Sequence, residues 1–243
     1  MRYPRNSMLR SRDTNPTISI IIPVLNEAQG INGIISHLHE LDAGRNLEII
    51  VVDGDPAGGT IKAIHDAGVV TEIGERGRAF QMNRGAALAE GDILLFLHAD
   101  TLLPRNAFTR IHEAFQDASY MAGCFDLGVR SARKIFRITE RYVALRTRIT
   151  RVPFGDQAIF VRREYFERIG GYRDIPIMED VELMRRIRRR GDTICIIPDK
   201  ALTSARRWER EGVLFTTFRN WMLQVLYCCG VSPKHLAGFY RSR

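Results

Sequence analysis

Apolar positions in the first half of the chain fall into two alternating rhythms. Ile18–Pro23 (ISIIIP), Leu47–Val52 (LEIIVV), Val69–Ile73 and Asp92–Leu97 (DILLFL) are short, largely apolar runs, the pattern of strands covered on both faces. Between them the spacing turns helical. Ile31, Ile34, Ile35, Leu38 and Leu41 recur along Glu27–Leu41, and Gly59–Ala67, Gly77–Ala89 and Pro104–Asp117 follow the same period. Strand and helix in strict alternation predict a mainly parallel sheet with helices on both faces. In such sheets ligands sit beyond the carboxyl ends of the strands, and here each main run leads into a polar cluster: Asn26-Glu27, Asp53–Asp55, His98–Asp100.

The second half is less regular. Met121–Val129 reads as a strand and Phe154–Arg162 as a Gly155-Asp156-Gln157 turn entering a strand. Asp180–Arg190 reads as a helix and Thr193–Pro198 as a last strand. Ala132–Ile149 is amphipathic, with Ile135, Ile138, Tyr142, Leu145 and Ile149 on one side and arginines elsewhere. Val213–Val231 is apolar and aromatic but broken by Arg219, Asn220 and Gln224, too interrupted for a spanning helix. It is either a core helix or one lying on a membrane surface.

Charge refines this picture. The 243 residues carry a formal net charge of +8. Residues 1–16 hold four arginines, one acid and no apolar period, so they are expected to be a disordered basic leader, without the apolar core a signal peptide needs. Basicity of this kind suits nucleic acid, anionic lipid or an anionic small substrate. Cys124, Cys195, Cys228 and Cys229 show no C-x-x-C spacing and are expected to be reduced structural thiols in a cytoplasmic protein.

The polar clusters suggest chemistry. Asp53 and Asp55 could accept hydrogen bonds from a nucleotide or simply hold a turn. His98 and Asp100, two apart in extended chain, offer donors for Mn²⁺ or Mg²⁺; the competing role for Asp100 is capping the following helix. Glu179 and Asp180 precede a helix, where one carboxylate can cap it, act as a general base, or do both. Arg76, Arg78 and Arg84 surround a glycine-punctuated helix start suited to phosphate.

Taken in order, these segments resemble glycosyltransferase family 2. ISIIIPVLNEA is similar to its first strand and P-x-x-N-E turn. VVDGD at 51–55 resembles its second-strand motif, NRGAALAEGDILLFLHAD at 83–100 its D-x-D block, and MEDVELMRRIRRRG at 178–191 its E-D block. The likeness covers about 17–200. It implies a GT-A fold over 17–205, with 206–243 a helical extension packed on the domain or on a membrane. It implies an inverting transferase that moves a sugar from a nucleotide-diphosphate sugar, UDP-hexose first, to a hydroxyl or carboxyl acceptor.

Carried over, Asp180 is the catalytic base with Glu179 beside it. Asp100, with His98, holds the divalent metal. Pro23, Asn26, Glu27, Asp53, Asp55, Arg78, Asn83 and His98 line the donor, and Gly155, Asp156, Gln157 and Trp208 the acceptor side. His98 replaces the first aspartate of D-x-D, and Met82 stands where relatives have arginine, which passes phosphate contact to Arg78. The glutamine of a Q-x-x-R-W element is missing near Arg207-Trp208, unlike processive synthases. GRAFQMNRGA, FLHADT and GDQAIF resemble a bacterial subgroup labelled with arsenosugar biosynthesis or carotenoid-acid glucosylation.

The implied partners are the nucleotide sugar and a small or lipid-like acceptor; nucleic acid is not expected. The helix at 132–149 and the segment 213–229 are candidates for peripheral contact with the cytoplasmic membrane face. The alternative is a catalytically degenerate GT-A module that binds anionic lipid or nucleic acid.

Overall fold

The computed structural model describes residues 17–42 and 47–241; the leader at 1–16 lies outside them. Among the described residues, seven strands form one sheet in the order β3-β2-β1-β4-β6-β5-β7. They are β1 (Ile18–Val24), β2 (Glu48–Asp53), β3 (Val70–Ile73), β4 (Ile93–Phe96), β5 (Tyr120–Arg130), β6 (Phe160–Arg162) and β7 (Thr193–Ser204). β1 runs parallel to β2 and β4, and β2 to β3. β6 is antiparallel to both β4 and β5, while β5 and β7 are parallel. Six strands therefore point one way and only β6 is reversed, which is the expected mainly parallel α/β architecture.

Alternation along the strands feeds two cores. Ile20, Ile22, Val51 and Leu95 face one layer with α1 (Ile31–Asp42) and α3 (Ala107–Gln116), through Ile35, Leu38, Phe108 and Ile111. Ile21, Ile50, Val52 and Leu94 face the other, with α2 (Arg78–Leu88), α5 (Arg163–Arg168) and α6 (Glu179–Arg189). Met82 is 4% exposed and belongs to this second core, which explains an apolar residue at that position. α2 lies so close to β1 that a Cβ on Gly85 would come within 2.5 Å of Ile21.

Some expectations are corrected. Gly59–Ala67 yields only a 3₁₀ turn at Ile61–Ala63. β7 does not stop at Pro198: after an irregularity it continues to Ser204, pairing Lys200–Ser204 with Asp126–Arg130. The amphipathic segment forms α4 (Lys134–Thr150), but it buries the opposite side from its aliphatic stripe. Phe136, Thr139, Glu140, Val143 and Thr147 face inward, whereas Ile138, Tyr142, Leu145 and Ile149 are exposed. Cys124 is buried, yet Cys228 and Cys229 are exposed.

After β7 come α7 (Arg206–Glu211), α8 (Val213–Cys228) and α9 (Pro233–Arg241). They pack on the domain through Val213 against Val129 and Phe136, and through Leu223 and Leu236 against Ile177. No helix among the described residues is long and apolar enough to cross a membrane.

Candidate active site

The carboxyl ends of β1, β2, β4, β5 and β7 share one edge of the sheet. Because β6 is reversed, the turn that precedes it arrives at the same edge. The Asn26-Glu27, Asp53–Asp55, His98–Asp100 and Glu179-Asp180 clusters are therefore gathered there by topology, in a β1–β2 half and a carboxylate-rich half, whereas Arg84 pairs with Glu72 of β3 at 2.6 Å.

In the first half the main chain is braced from inside. Gln81, 4% exposed on α2, donates through Nε2 to the carbonyls of Val24 (2.7 Å) and Val52 (2.8 Å), tying together the ends of β1 and β2. Pro23 pairs with Val52 in this ladder. Asp53 is fully buried; its two oxygens accept from the N–H groups of Asp55 and Thr60, each at 3.0 Å. It thus fixes the turn that carries Asp55, whose own carboxylate accepts from Ala57 at 3.0 Å. Thr60 Oγ1 accepts from Glu27 N–H at 3.2 Å, and Glu27 faces Arg206 at 3.5 Å. Asn26 has a left-handed backbone, φ 59°, a conformation tolerated by asparagine.

The second half centres on Asp180. Its Oδ2 accepts from Gly155 N–H at 2.5 Å and its Oδ1 from Val181 N–H at 2.7 Å, so the carboxylate is clamped rather than free to rotate. It does not cap α6: that position is Met178, itself left-handed at φ 67°. Strain of this kind just before two acidic residues is a common mark of a functional turn. Nor does Asp100 cap α3, which starts after Asn106.

His98 lies against the Gly155 turn. A Cβ on Gly155 would sit 2.8 Å from His98 Nε2 and 3.3 Å from Asp180 Oδ2, so a larger residue would push the imidazole away from the turn. Burial pushes His98 down to about 3, helped by the charges of Arg78 and Arg207; the imidazole is neutral and its ring nitrogen can ligate or accept.

Asp156 is the least comfortable group in the site. Burial pushes it up to about 6; Arg146 pulls the other way, while Asp180 and Asp100 add to the rise. Its Oδ1 is buried and makes no hydrogen bond among the described residues. Glu179, 3% exposed, is likewise raised by burial and opposed by Arg78, whose Nε lies 3.3 Å away.

Sequence reasoning missed Arg146. Its guanidinium stacks 3.7 Å from the centre of the Phe154 ring and donates to Gln157 Oε1 at 3.2 Å, while its charge faces Asp156 and Asp180. An arginine in a basic amphipathic helix looks like surface until the fold shows which side is buried. Tyr172 was missed too: burial holds its phenol well above the ordinary range, with Asp180 and Glu179 adding to the effect.

Several expected site residues serve the scaffold. The Asn83 side chain is spent on Tyr172, donating to its carbonyl at 2.8 Å and accepting from its N–H at 2.9 Å. Gln157 is fully buried; it donates to Phe125 O at 3.0 Å and accepts from Thr147 Oγ1 at 3.1 Å, a strut beneath the turn. Trp208 meets Phe136 edge to face, ring centres 6.0 Å apart, and with Asp156, Tyr142 and Trp221 lines a small cavity between α4 and α8.

Among the described residues no group of three or more His, Cys, Asp or Glu is placed to hold a metal. Hard cations such as Mg²⁺ keep several waters and are commonly held by one or two carboxylates plus substrate phosphates. Asp100, at hydrogen-bonding limit (3.5 Å) from Thr101 and Thr203 hydroxyls, and the neutral His98 fit that kind of site.

The profile of the family described as Glycosyl transferase family 2 matches residues 19–173. A dolichol-phosphate mannosyltransferase of Pyrococcus furiosus is 28% identical over 111 residues, 43% of this chain and 32% of that protein. A probable glycosyltransferase of Sulfolobus acidocaldarius is 25% identical over 206 residues, 74% of this chain and 44% of that protein. The chain thus spans less than half the length of these curated relatives. Among solved structures, a mannosyltransferase from Pyrobaculum calidifontis in complex with GDP-Man and Mn²⁺ superimposes with a TM-score of 0.61 at 24% identity, covering 78% of this chain and 56% of that one. S. aureus TarS 1-349 in complex with UDP gives 0.60 at 14%, covering 77% and 60%. These structures share the fold.

Proposed function

The chain belongs to glycosyl transferase family 2, and on that premise we propose that it is an inverting glycosyltransferase using a nucleotide-diphosphate sugar, with UDP-hexose the first donor to test. The observation that carries this reading is the clamped Asp180 carboxylate beside His98 and Asp156 at the strand ends.

Asp180 is the general base. Held by two backbone N–H groups, it takes the proton of an acceptor hydroxyl as the oxygen attacks the anomeric carbon from the face opposite the diphosphate. The glycosidic bond forms in the same displacement, the bond to the diphosphate oxygen breaks, and no covalent sugar–enzyme species is needed. A rigid base contributes by orientation as much as by basicity.

Asp100 and His98 would hold Mn²⁺ or Mg²⁺, which when bound neutralises charge on the diphosphate. Arg78, on the first turn of α2, supplies cationic contact for the phosphates while shielding Glu179. The base of the nucleotide lies against the turn that Asp53 fixes from inside, with Asp55, Asn26 and Glu27 around it. Asp156 meets the acceptor: with a value near 6, it exchanges between donor and acceptor of a hydrogen bond close to neutrality.

Calorimetric titration with UDP-glucose, GDP-mannose and the matching diphosphates, with Mn²⁺ and with chelator, tests this reading. Metal-dependent binding of one donor supports it. Folded protein that binds none of them with metal present would sink it and leave the degenerate binding module.

A further inference from the structure

Two helices leave apolar faces uncovered side by side. On α4, Ile138, Leu145 and Ile149 are 60–73% exposed, with Tyr142 between them. These four are spaced to fall on one side of the helix. On α8, Phe215, Phe218, Trp221 and Val225 are exposed, and Phe218 and Trp221 touch with ring centres 6.0 Å apart. The helices flank a shared groove. Thr139, Tyr142 and Arg146 of α4 and Thr217, Trp221 and Gln224 of α8 line the cavity that holds Asp156.

Gln224 also lines a second pocket of about 360 Å³, walled by Thr150, Arg185, Arg188, Arg189 and Cys228. The groove between the two helices therefore runs from the acceptor-side carboxylate to a cluster of three arginines. Arg188 donates to Thr150 O at 2.9 Å, and Arg185 lies 5.4 Å from the Tyr227 ring, which holds their charged ends at the pocket.

Charge decides what covers this face. α8 contains no Asp or Glu. The one acid of α4, Glu140, is 3% exposed and engaged by Arg137 and Lys200. Arg141, by contrast, is exposed beside the aliphatic stripe. A surface that is apolar and cationic and has no exposed anion on either helix would repel a second copy of itself in a two-fold pair. It matches an anionic bilayer: aliphatic and aromatic side chains enter the headgroup boundary, and arginines meet lipid phosphates.

We infer that the α4–α8 face seats on an anionic phospholipid bilayer, with a lipid phosphate in the Arg185–Arg188–Arg189 pocket. The docking stands on this face alone. Its consequence, that the Asp156 cavity opens toward lipid and takes a membrane-borne acceptor, rests on the function proposed above.

Flotation of the full chain with phosphatidylglycerol-containing vesicles and with pure phosphatidylcholine vesicles, without any sugar donor, tests it. Binding to the anionic vesicles only is expected, weakening as salt rises. L145E/I149E should abolish it, and Arg188→Gln and Arg189→Gln should each weaken it about fivefold, the worth of one basic residue at an anionic surface. All four positions are exposed or at a pocket mouth, and an unchanged circular dichroism spectrum confirms that the variants fold. Absence of binding at low salt, or binding indifferent to these substitutions, overturns the inference. So does a protein that ignores vesicles but is a dimer made monomeric by L145E/I149E, since a second copy then covers the face. Donor calorimetry is untouched by any of these results.

Discussion

Replacing Asp156 by asparagine should make the fold more stable as pH rises, and the size of the gain follows from the site. Burial lifts Asp156 from an ordinary 3.8 to about 6. Between those values the folded protein holds a proton that the unfolded chain has released, so stability falls as pH rises through the window. At about 1.4 kcal/mol per tenfold change in acidity, the ionised carboxylate costs the fold about 3 kcal/mol above pH 6. The Asp156→Asn substitution would mimic the protonated form and remove that slope.

His98 opposes it. Pushed down from 6.5 to about 3, its imidazole stays neutral in the fold while the unfolded chain takes up a proton, so this contribution to stability is lost as pH falls below 6.5. From pH 4 to 6 the two slopes cancel in the wild type. In the D156N variant the Asp156 slope is gone, while the His98 contribution of about 1.4 kcal/mol per pH unit remains. Urea melts at intervals from pH 4 to 7.5, with unchanged m-values, measure this directly; urea is preferred because guanidinium salt would screen the charges. The gap between variant and wild type should widen in the variant's favour by about 2–3 kcal/mol between pH 4 and pH 7. A gap that stays constant or narrows would refute the assignment of Asp156 as a carboxylate held up by burial. The same variant should transfer sugar poorly, since a group that destabilises its fold is one that function retains.

Asp180→Asn keeps an oxygen for Gly155 N–H but loses the base. Turnover should drop by about 10²–10⁴-fold with donor affinity unchanged, read from initial rates alongside calorimetry. Asp100→Asn is expected to remove the Mn²⁺ dependence of donor binding in the same titration, leaving weak, chelator-insensitive binding. Gln81→Ala would remove the amide that bridges the carbonyls of Val24 and Val52, leaving Val24 O with only Gly54 N–H, and should cost about 1–3 kcal/mol in urea melts.

Much of the β1–β2–β4 edge was legible in the sequence because its strands are apolar throughout. β1, β2 and β4 need no partner information to be recognised, and the polar residues after them must then fall at one edge. The carboxylate half was legible only in part. Asp180 and His98 carry recognisable motifs, but Arg146 faces Asp156 only because α4 buries the side with Phe136, Thr139 and Val143. Hydrophobic spacing pointed to the opposite side, toward Ile138, Leu145 and Ile149. Periodicity measures where apolar residues cluster and cannot say which cluster finds a protein partner. Glu140 shows why the polar side won: buried and paired within the helix with Arg137, it also accepts from Val129 N–H at 2.8 Å and pairs with Lys200, two contacts that exist only after β5 and β7 come together. The extension of β7 past Pro198 was hidden for a similar reason, since Asp199-Lys200 breaks the apolar run while the ladder to β5 resumes at Lys200.

The reversed strand has a consequence for how such a protein can change. β6 delivers the 154–157 turn from its beginning, while its neighbours deliver theirs from their ends, so the two halves of the site hang on separate stretches of chain. Changes between Thr150 and Phe160 that keep Gly155, whose N–H holds Asp180, would reshape the surroundings of Asp156 and leave the braced ends of β1 and β2 as they are. A lineage could remodel one side of the site by editing one short segment while inheriting the other unchanged.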